Sequence, residues 1–533
     1  RLVRAASGCV GPCGRSRAVR TSDSDGAKTV VTSSCAAVLH SWPVPREHHI
    51  LRLVVDTAEA HLRRHRDAGW LFLNFCLRVA LTLRGLGLVG SCEEEPAHSH
   101  TASLHGLALA SAWLEELLED AACTCRRKLN WSELPSVLAL LRSTLCKPVA
   151  VSSAGEVRHL SVTILDAFIG SLPSTDSGHD EVSLRYSWFC GLDLPWSSVF
   201  RGLVLDTPAA LASEPKRSAG SQRLVLFDVS LEQWLPGAAE AGHQVVGLEN
   251  YHLELTGGME GIGEFRRWEL SQFRRLADDL LSAGVEVLAC QKLVDPWLVD
   301  YLLERGVSVL SRLSLRHVDA VRHFSGAVPV TSLAALPKKW AAVMGVVGPL
   351  ETRTIAERNY TFVHMPHESP GVSARPVSTL LLGAPDDHAL AELRRCVPQA
   401  VHSLQDAAHS GAVLLGGGIT EVLLADALIG RARGAMADGA ETAAAGAVLA
   451  IAECLQDVAA CLHADTHGES RGLLHRESFL EAVRKASQQP GGPAFAILEA
   501  ETPKKYALLG ALDLAGILVR LGGTLDLVNG TVG

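Results

Sequence analysis

At 533 residues the chain is too long for one small domain, and at roughly 150 residues apiece it predicts about three. Hydrophobic residues make up 47% and charged residues 20%, an ordinary globular balance with enough apolar material for several cores. The net charge is −9, from 49 basic and 58 acidic residues, and no basic stripe runs along any region, so a nucleic-acid binder is not expected.

The densest basic run is Arg1, Arg4, Arg15, Arg17 and Arg20, but glycines and a proline among them make it a loop-rich segment rather than a phosphate-tracking helix. The chain opens on Arg1 rather than Met, which fits a fragment or an incomplete gene model. Its 13 cysteines, an odd number without metal-site spacing, predict reduced, buried thiols in a cytosolic protein. The close pairs are Cys9/Cys13 and Cys123/Cys125. The longest apolar stretches, residues 70–77 and 443–452, end at Arg78 and Glu453, short of the ~20 residues a membrane span needs. No continuous apolar core of a secretory signal is visible near the start.

Residues 1–150 read as helical. Leu51, Val54, Val55, Ala58 and Leu62 recur at helical spacing, and Leu71, Phe75, Val79 and Leu83 repeat every four residues, marking a face that must pack. Helices over 104–123 and 134–145 follow. After Pro148 the texture changes. Short apolar runs at 202–206, 223–229, 285–290 and 307–310 predict buried strands, with helical patterns at 265–282 and 296–305 between them. Strands alternating with helices indicate an α/β unit. Residues 386–410 return to helix, 412–415 lead into Gly416-Gly417-Gly418, Ala-rich helical sequence runs to Leu462, and 504–521 is helical again. The order helical, α/β, helical suits an insertion into a split helical domain as well as three consecutive domains, and periodicity does not choose between them.

Several residue sets then fall in order along the chain. Val10-Gly11-Pro12-Cys13-Gly14-Arg15 contains G-P-x-G. Cys290-Gln291-Lys292, Asp295, Tyr301-Leu302 and Gly306-Val307 form a strand ending in Q-K before a helix and a second strand, continued by Ser311-Arg312 and Gly326-Ala327. Gly416-Gly417-Gly418 with Glu421 is a G-G-G-x-x-E turn opening a long helix, and Leu518-Val519-Arg520-Leu521 with Asp526 approximates I-L-R-I-D-D. Each is weak alone. The ordered set resembles the group II chaperonins of the TCP-1/cpn60 family. Segments 141–148, 285–309 and 414–421 are similar to the divergent chaperonin-like branch linked to the McKusick–Kaufman and Bardet–Biedl syndromes. The resemblance implies an α+β multidomain subunit: a helical equatorial domain from 1–147 and 412–533, a small intermediate domain from 148–200 and 367–411, and an inserted α/β apical, client-binding domain over 201–366.

In that family glycines bring backbone N–H groups to phosphates, one carboxylate holds Mg²⁺, and another orients the attacking water. Gly11, Pro12 and Gly14 keep the phosphate loop in outline. The I-T-N-D-G motif becomes Val31-Thr32-Ser33-Ser34-Cys35, losing its carboxylate at Ser34. G-D-G-T-T becomes Asp67-Ala68-Gly69-Trp70-Leu71. The metal-binding position is then Ala68, Asp67 is expected to point elsewhere, and Trp70 and Leu71 are expected to fill space with no donor or acceptor to offer. The water-activating Asp, 17 residues before the first glycine of G-G-G, is replaced by Gln399, which cannot take a proton at neutral pH. Glu499 sits where the family contacts adenine, but the proline expected after it is Ala500, and the short segment 469–493 holds Gly491-Gly492-Pro493. The resemblance thus leaves a vestigial nucleotide-binding set of Gly11, Pro12, Gly14, Asp67, Gly69, Gly416, Gly417, Gly418 and Glu499, with no catalytic residue and no metal ligand. ATP held weakly without turnover is the one cofactor left open.

Other chemistry-bearing residues have blander readings. His98, His100 and His105, near Cys92 and Glu93–Glu95, suit a solvated loop. His61 and His65, among Arg63, Arg64 and Arg66, suit a cationic surface hostile to a metal ion. Glu115-Glu116 with Glu119-Asp120 suits a solvated helix face, and Asp386 and Asp387 the capped start of a helix. No Ser/His/Asp or Cys/His arrangement supports a hydrolase. Residues 251–273 match the family's helical protrusion. Gly257, Gly258, Gly261 and Gly263 fall there, each costing up to ~1 kcal/mol in a helix, so a short tip and no lid are expected.

The resemblance further implies a chaperonin-like assembly factor without ATP hydrolysis, assisting assembly of the BBSome, a coat adaptor that carries cargo to cilia, and so ciliogenesis. The implied partners are other Bardet–Biedl chaperonin-like subunits, the cytosolic chaperonin, and BBSome subunits as clients, with neither nucleic acid nor membrane insertion. The implied locations are cytosol, centrosome and ciliary basal body. The alternative is an active ATP-dependent ring subunit, and a third reading is a scaffold that holds no client.

Overall fold

A computed structural model describes residues 17–23, 26–41, 48–89, 96–120, 124–147, 149–151, 153–172, 183–212, 220–233, 258–333, 335–366, 376–437, 442–467, 473–487, 497–521, 527–528 and 531–532. Helix and sheet are mixed, and the chain divides into two compact units, Arg1–Val162 with Ala384–Gly533, and Thr163–Gly383.

The first unit begins with an antiparallel hairpin of β1 (Arg17–Asp23) and β2 (Gly26–Thr32). Helices α1 (Cys35–His40), α2 (His49–His65), α3 (Gly69–Val89) and α4 (Pro96–Glu119) follow, then β3 (Arg126–Lys128) and α5 (Leu134–Leu145). The division between units falls within α6 (Ala154–Ile169).

The second unit holds β4 (Leu184–Cys190), β5 (Ser198–Leu205), β6 (Gln222–Phe227), α7 (Gly258–Ser282), β7 (Val287–Cys290), α8 (Pro296–Leu303), β8 (Ser308–Leu310) and α9 (Leu315–Ser325). It closes with β9 (Gly345–Val347), β10 (Leu350–Ile355), β11 (Arg358–His364) and β12 (Ser378–Ala384). A four-stranded sheet runs β8-β7-β6-β9, with β6, β7 and β8 parallel and β9 antiparallel. Its apolar runs are unbroken because both faces are covered. Val225, Phe227, Leu288 and Cys290 face Phe273, Leu276 and Leu280 of α7, while Leu224, Leu226, Val287 and Ala289 face Val318, Val321 and Phe324 of α9.

Two expectations need correction here. The run at 202–206 overlaps the end of β5, which pairs antiparallel with β11 and β12 in a separate sheet of order β10-β11-β5-β12-β4. An apolar run declares burial but not its partner. The glycines also do not keep 258–264 out of a helix, since α7 begins at Gly258 and continues for 25 residues; the expected short tip falls in part on 251–257, outside the described residues. The glycine penalty of ~1 kcal/mol each is offset by the buried face of Phe273, Leu276, Ala277 and Leu280 further along the same helix.

The chain re-enters the first unit with α10 (Asp387–Ser410), capped as expected by Asp386, whose Oδ1 accepts the His388 and Ala389 N–H groups at 2.8 Å each. Then come β13 (Ala412–Leu415), α11 (Ile419–Ala437), α12 (Thr442–His467), α13 (Leu473–Ser487), β14 (Leu498–Ala500), α14 (Glu501–Arg520), β15 (Leu527–Val528) and β16 (Thr531–Val532). A small antiparallel sheet runs β14-β13-β3. The core lies between α3, α4, α11, α12 and α14, where Phe75, Val79 and Leu83 meet Leu428, Val448, Ile451, Leu508 and Ala511. Residues 442–462 of α12 are long and apolar enough to cross a membrane, beyond the interruption expected at Glu453, yet this stretch is 67% buried inside its own unit. Nine cysteines lie among the described residues and none is in a disulfide; Cys190 is exposed and most of the others are buried.

Candidate functional site

Within the first unit the ends of several elements leave a cavity of about 160 Å³. One wall is the junction of β2 and α1. Thr32 and Ser33 are buried there and give three hydrogen bonds to the buried Glu392 of α10: Thr32 Oγ1 to Oε2 at 2.8 Å, Ser33 Oγ to Oε1 at 2.7 Å, and Ser33 N to Oε1 at 3.2 Å. The Ser34 N–H turns back to Thr32 Oγ1 at 3.0 Å, so Ser34 enters α1 with no side-chain cap of its own.

A second wall is the turn between α2 and α3. Arg66 ends α2 in the left-handed region at φ 59°, and Ala68 takes φ 60°. The double reversal turns Asp67 inward, so its carboxyl lies in the cavity with Gln399 rather than pointing elsewhere. Oδ1 accepts the Ala68 N–H at 2.6 Å, and the Gln399 side chain lines the same cavity. Burial holds the proton affinity of Asp67 above the ordinary carboxyl range, although the Ala68 N–H and Lys147 pull the other way. Gly69 then opens α3, where a Cβ would come within 2.7 Å of the Leu62 side chain.

Trp70 and Leu71 pack against the core as expected, but Trp70 does carry a used donor: its Nε1 donates to Ser33 O at 2.9 Å. A half-buried indole N–H needs such a partner. His61 and His65 are not on a cationic surface. Both are buried, with His61 stacked on Phe72 and His65 on Tyr506, because they share the inward face of α2. Burial, then the neighbouring His65, push His61 down to about 4.

The remaining walls come from the end of α5, with Ser143, Thr144 and Lys147, and from the β14–α14 junction. Glu499 accepts the Gly417 N–H at 3.2 Å and pairs with Lys504 Nζ at 2.7 Å. Lys504 Nζ also lies 2.9 Å from Oε1 of Glu421, in an ion-pair contact off the hydrogen-bond direction, and Glu421 Oε2 has no partner among the described residues. Burial works against the Lys504 ammonium, but Glu421 and Glu499 hold its proton well above the ordinary lysine range. Burial raises Glu421 as well, outweighing the attraction of Lys504.

Of the sequence-derived set, Asp67, Gly69 and Glu499 line the cavity, together with the replaced positions Ser34, Ala68 and Gln399. Gly416, Gly417 and Gly418 lie beside it. They form a turn with φ of 69° and 88° at the last two glycines, held by Gly416 N donating to Ile497 O at 3.1 Å. Gly11, Pro12 and Gly14 lie outside the described residues. Sequence reasoning missed Lys147, Glu392 and Lys504. For Lys504 the Pro503 at a helix start was a faint signal, and Glu392 had none, because its partners are 359 and 360 residues away. Chemically, the cavity offers the Lys504 ammonium paired with Glu421 and Glu499, the carboxyl group of Asp67, the amide of Gln399 and the methyl group of Ala68.

Comparison with known proteins gives a consistent picture. The TCP-1/cpn60 chaperonin family matches residues 111–470. The chain is 26% identical to the molecular chaperone MKKS of Mus musculus over 426 residues, covering 78% of this chain and 67% of that protein. It is 25% identical to the molecular chaperone MKKS of Homo sapiens over 431 residues, covering 80% and 68%. It is also 26% identical to thermosome subunit alpha of Aeropyrum pernix over 293 residues, covering 54% and 49%.

Proposed function

We propose that this chain, which belongs to the TCP-1/cpn60 chaperonin family, is a chaperonin-like assembly chaperone that does not hydrolyse ATP. In this reading the first unit contains the equatorial domain, the second the apical domain, and an intermediate domain joins them. The observation that carries the proposed loss of turnover is that Gln399 and Ala68 line one cavity with Asp67. By the resemblance, an amide stands where the family activates water and a methyl group stands at the metal position. Of the carboxyl groups that line the cavity, Asp67 adjoins that position in sequence, and its Oδ1 already accepts the Ala68 N–H. Likeness to the molecular chaperone MKKS supports the chaperone role, and BBSome assembly, and so ciliogenesis, is the task we propose for it. The partners would be related chaperonin-like subunits, the cytosolic chaperonin and BBSome subunits as clients, without nucleic acid or membrane insertion. The sites of action would be cytosol, centrosome and basal body.

Phosphate release by the purified chain with ATP and Mg²⁺ tests the catalytic half. No turnover above background is expected. Turnover abolished by Gln399→Ala or Asp67→Ala would establish the alternative, an ATP-dependent ring subunit, which the inward carboxyl of Asp67 favours. Co-purification of BBSome subunits or of the cytosolic chaperonin tests the other half, and recovery of neither would leave a scaffold without clients.

A further inference from the structure

Helix α13 carries an inner stripe of Arg476, Phe479, Leu480, Val483 and Arg484, at helical spacing. Phe479, Leu480 and Val483 are buried, while Glu477, Ser478, Glu481, Ala482 and Lys485 on its other faces are exposed. The helix packs on α12 and α11. An arginine stands at each end of the apolar stripe, and each meets a carboxylate on a different helix. Arg484 forms a bidentate pair with Asp426 of α11, Nε to Oδ2 at 2.8 Å and Nη2 to Oδ1 at 2.7 Å. Arg476 Nε lies 2.8 Å from Asp457 Oδ1 of α12, and its Nη2 donates to Oε1 of the buried Gln456 at 3.2 Å. Gln456 Nε2 donates in turn to Asp426 Oδ1 at 3.2 Å, so one polar network joins both ends of the stripe. We propose that α13 is a strap fastened by charge, which detaches as one piece while α11 and α12 stay folded and so uncovers the apolar surface beneath Phe479, Leu480 and Val483.

The physical reason is the unequal hold on the two sides of this contact. α11 and α12 are fixed from behind by the core, where Leu424, Leu428, Val448, Ile451 and Leu455 are buried. Arg78 of α3 also pairs with Asp457 Oδ2 at 3.4 Å, so that carboxylate keeps a partner when Arg476 leaves. Among the described side chains of α13 the buried apolar ones are Phe479, Leu480 and Val483, a narrow hold for a 15-residue helix that is marginal in water by itself. The two arginine ties supply the rest. Isolated surface ion pairs contribute little, but a bidentate arginine–carboxylate pair within a network is the exception. Elements with few apolar contacts and water-accessible ties open locally at the low end of a protein's stability range, and the Arg484 and Asp426 side chains are 42% and 30% exposed.

Hydrogen exchange read by mass spectrometry on the full chain follows α13, with residues 448–460 of α12 as the internal reference. Raising sodium chloride from about 0.1 M to about 1 M shortens the screening length from about 10 Å to about 3 Å. Amides of α13 should then exchange about fivefold faster relative to the reference. A helix held by apolar burial alone would show no change or slower exchange. Arg484→Met keeps an apolar stem and removes the bidentate tie, so α13 should exchange about tenfold faster at about 0.1 M salt, with most of its salt dependence gone. No acceleration by salt in the native chain, no acceleration in folded Arg484→Met, or equal acceleration of 448–460 would each overturn the proposal. The salt series needs no variant and decides the matter if Arg484→Met does not fold.

Discussion

Lys504→Met keeps the length and the apolar stem of the side chain and removes the ammonium set between Glu421 and Glu499. In the native protein the Lys504 and Glu421 side chains are 2% and 1% exposed and Glu499 is 29% exposed, so water reaches one carboxylate of the three charged groups and hardly touches the other two. Removing one partner of a buried pair costs about 3–5 kcal/mol, because the charge left behind has no compensation. At about 2 °C per kcal/mol for a body of this size, the melting temperature should fall by about 6–10 °C near neutral pH. The sign of the pH dependence follows from Glu421. Burial raises its folded-state proton affinity above the unfolded value. Its protonation therefore adds stability that is fully present below the ordinary carboxyl range and is lost as pH rises through the folded value. Without Lys504 that folded value rises further, so the penalty should be full at about pH 8 and shrink towards about pH 5 as Glu421 takes up a proton. Lys504 contributes its own stability at every pH below the ordinary lysine range, outside this window. Adding Glu421→Gln to Lys504→Met should recover most of the loss. Urea titrations at both pH values measure it. A penalty under about 1 kcal/mol, or one equal at the two pH values, would refute the reasoning.

Three further outcomes are expected. Gly418→Ala should cost about 2 kcal/mol in urea unfolding, since φ is 88° and the new Cβ would sit 3.0 Å from Ala459 O; Gly434→Ala, in open space on α11, should instead stabilise by about 1 kcal/mol. Ala356→Asn with Glu357→Gly should stabilise the second unit by about 1 kcal/mol, because both residues of this two-residue hairpin turn have positive φ, 47° and 63°, where Asn-Gly is favoured. Asp67→Asn should make the protein more stable near neutral pH, since burial raises the Asp67 proton affinity and ionisation there opposes folding. Thermal melts should show that advantage shrinking as pH falls towards the ordinary carboxyl range.

What was legible follows the range of the interaction concerned. The face of Leu71, Phe75, Val79 and Leu83 was readable because burial on a helix repeats every three to four residues, and all four are at most 7% exposed. The turn at Gly416–Gly418 was readable because the positive φ at its last two residues favours glycine. The sheet that receives β5 was not readable, since its pairing with β11 is decided more than 150 residues away and an apolar strand carries no mark of its neighbour. The start of α7 was misjudged by weighing local glycine propensity without the packing of residues further along the helix. The direction of Asp67 turned on the left-handed dihedrals of Arg66 and Ala68, residue types that rarely adopt that region. Glu392 marks the limit of this kind of reading. A lone glutamate in an amphipathic helix resembles a solvated residue until the fold brings Thr32 and Ser33 against it. The residues most responsible for the shape of the site are thus those whose environment arises only from long-range contact. Their substitution should accordingly change cavity geometry while leaving the helical periodicity around them intact.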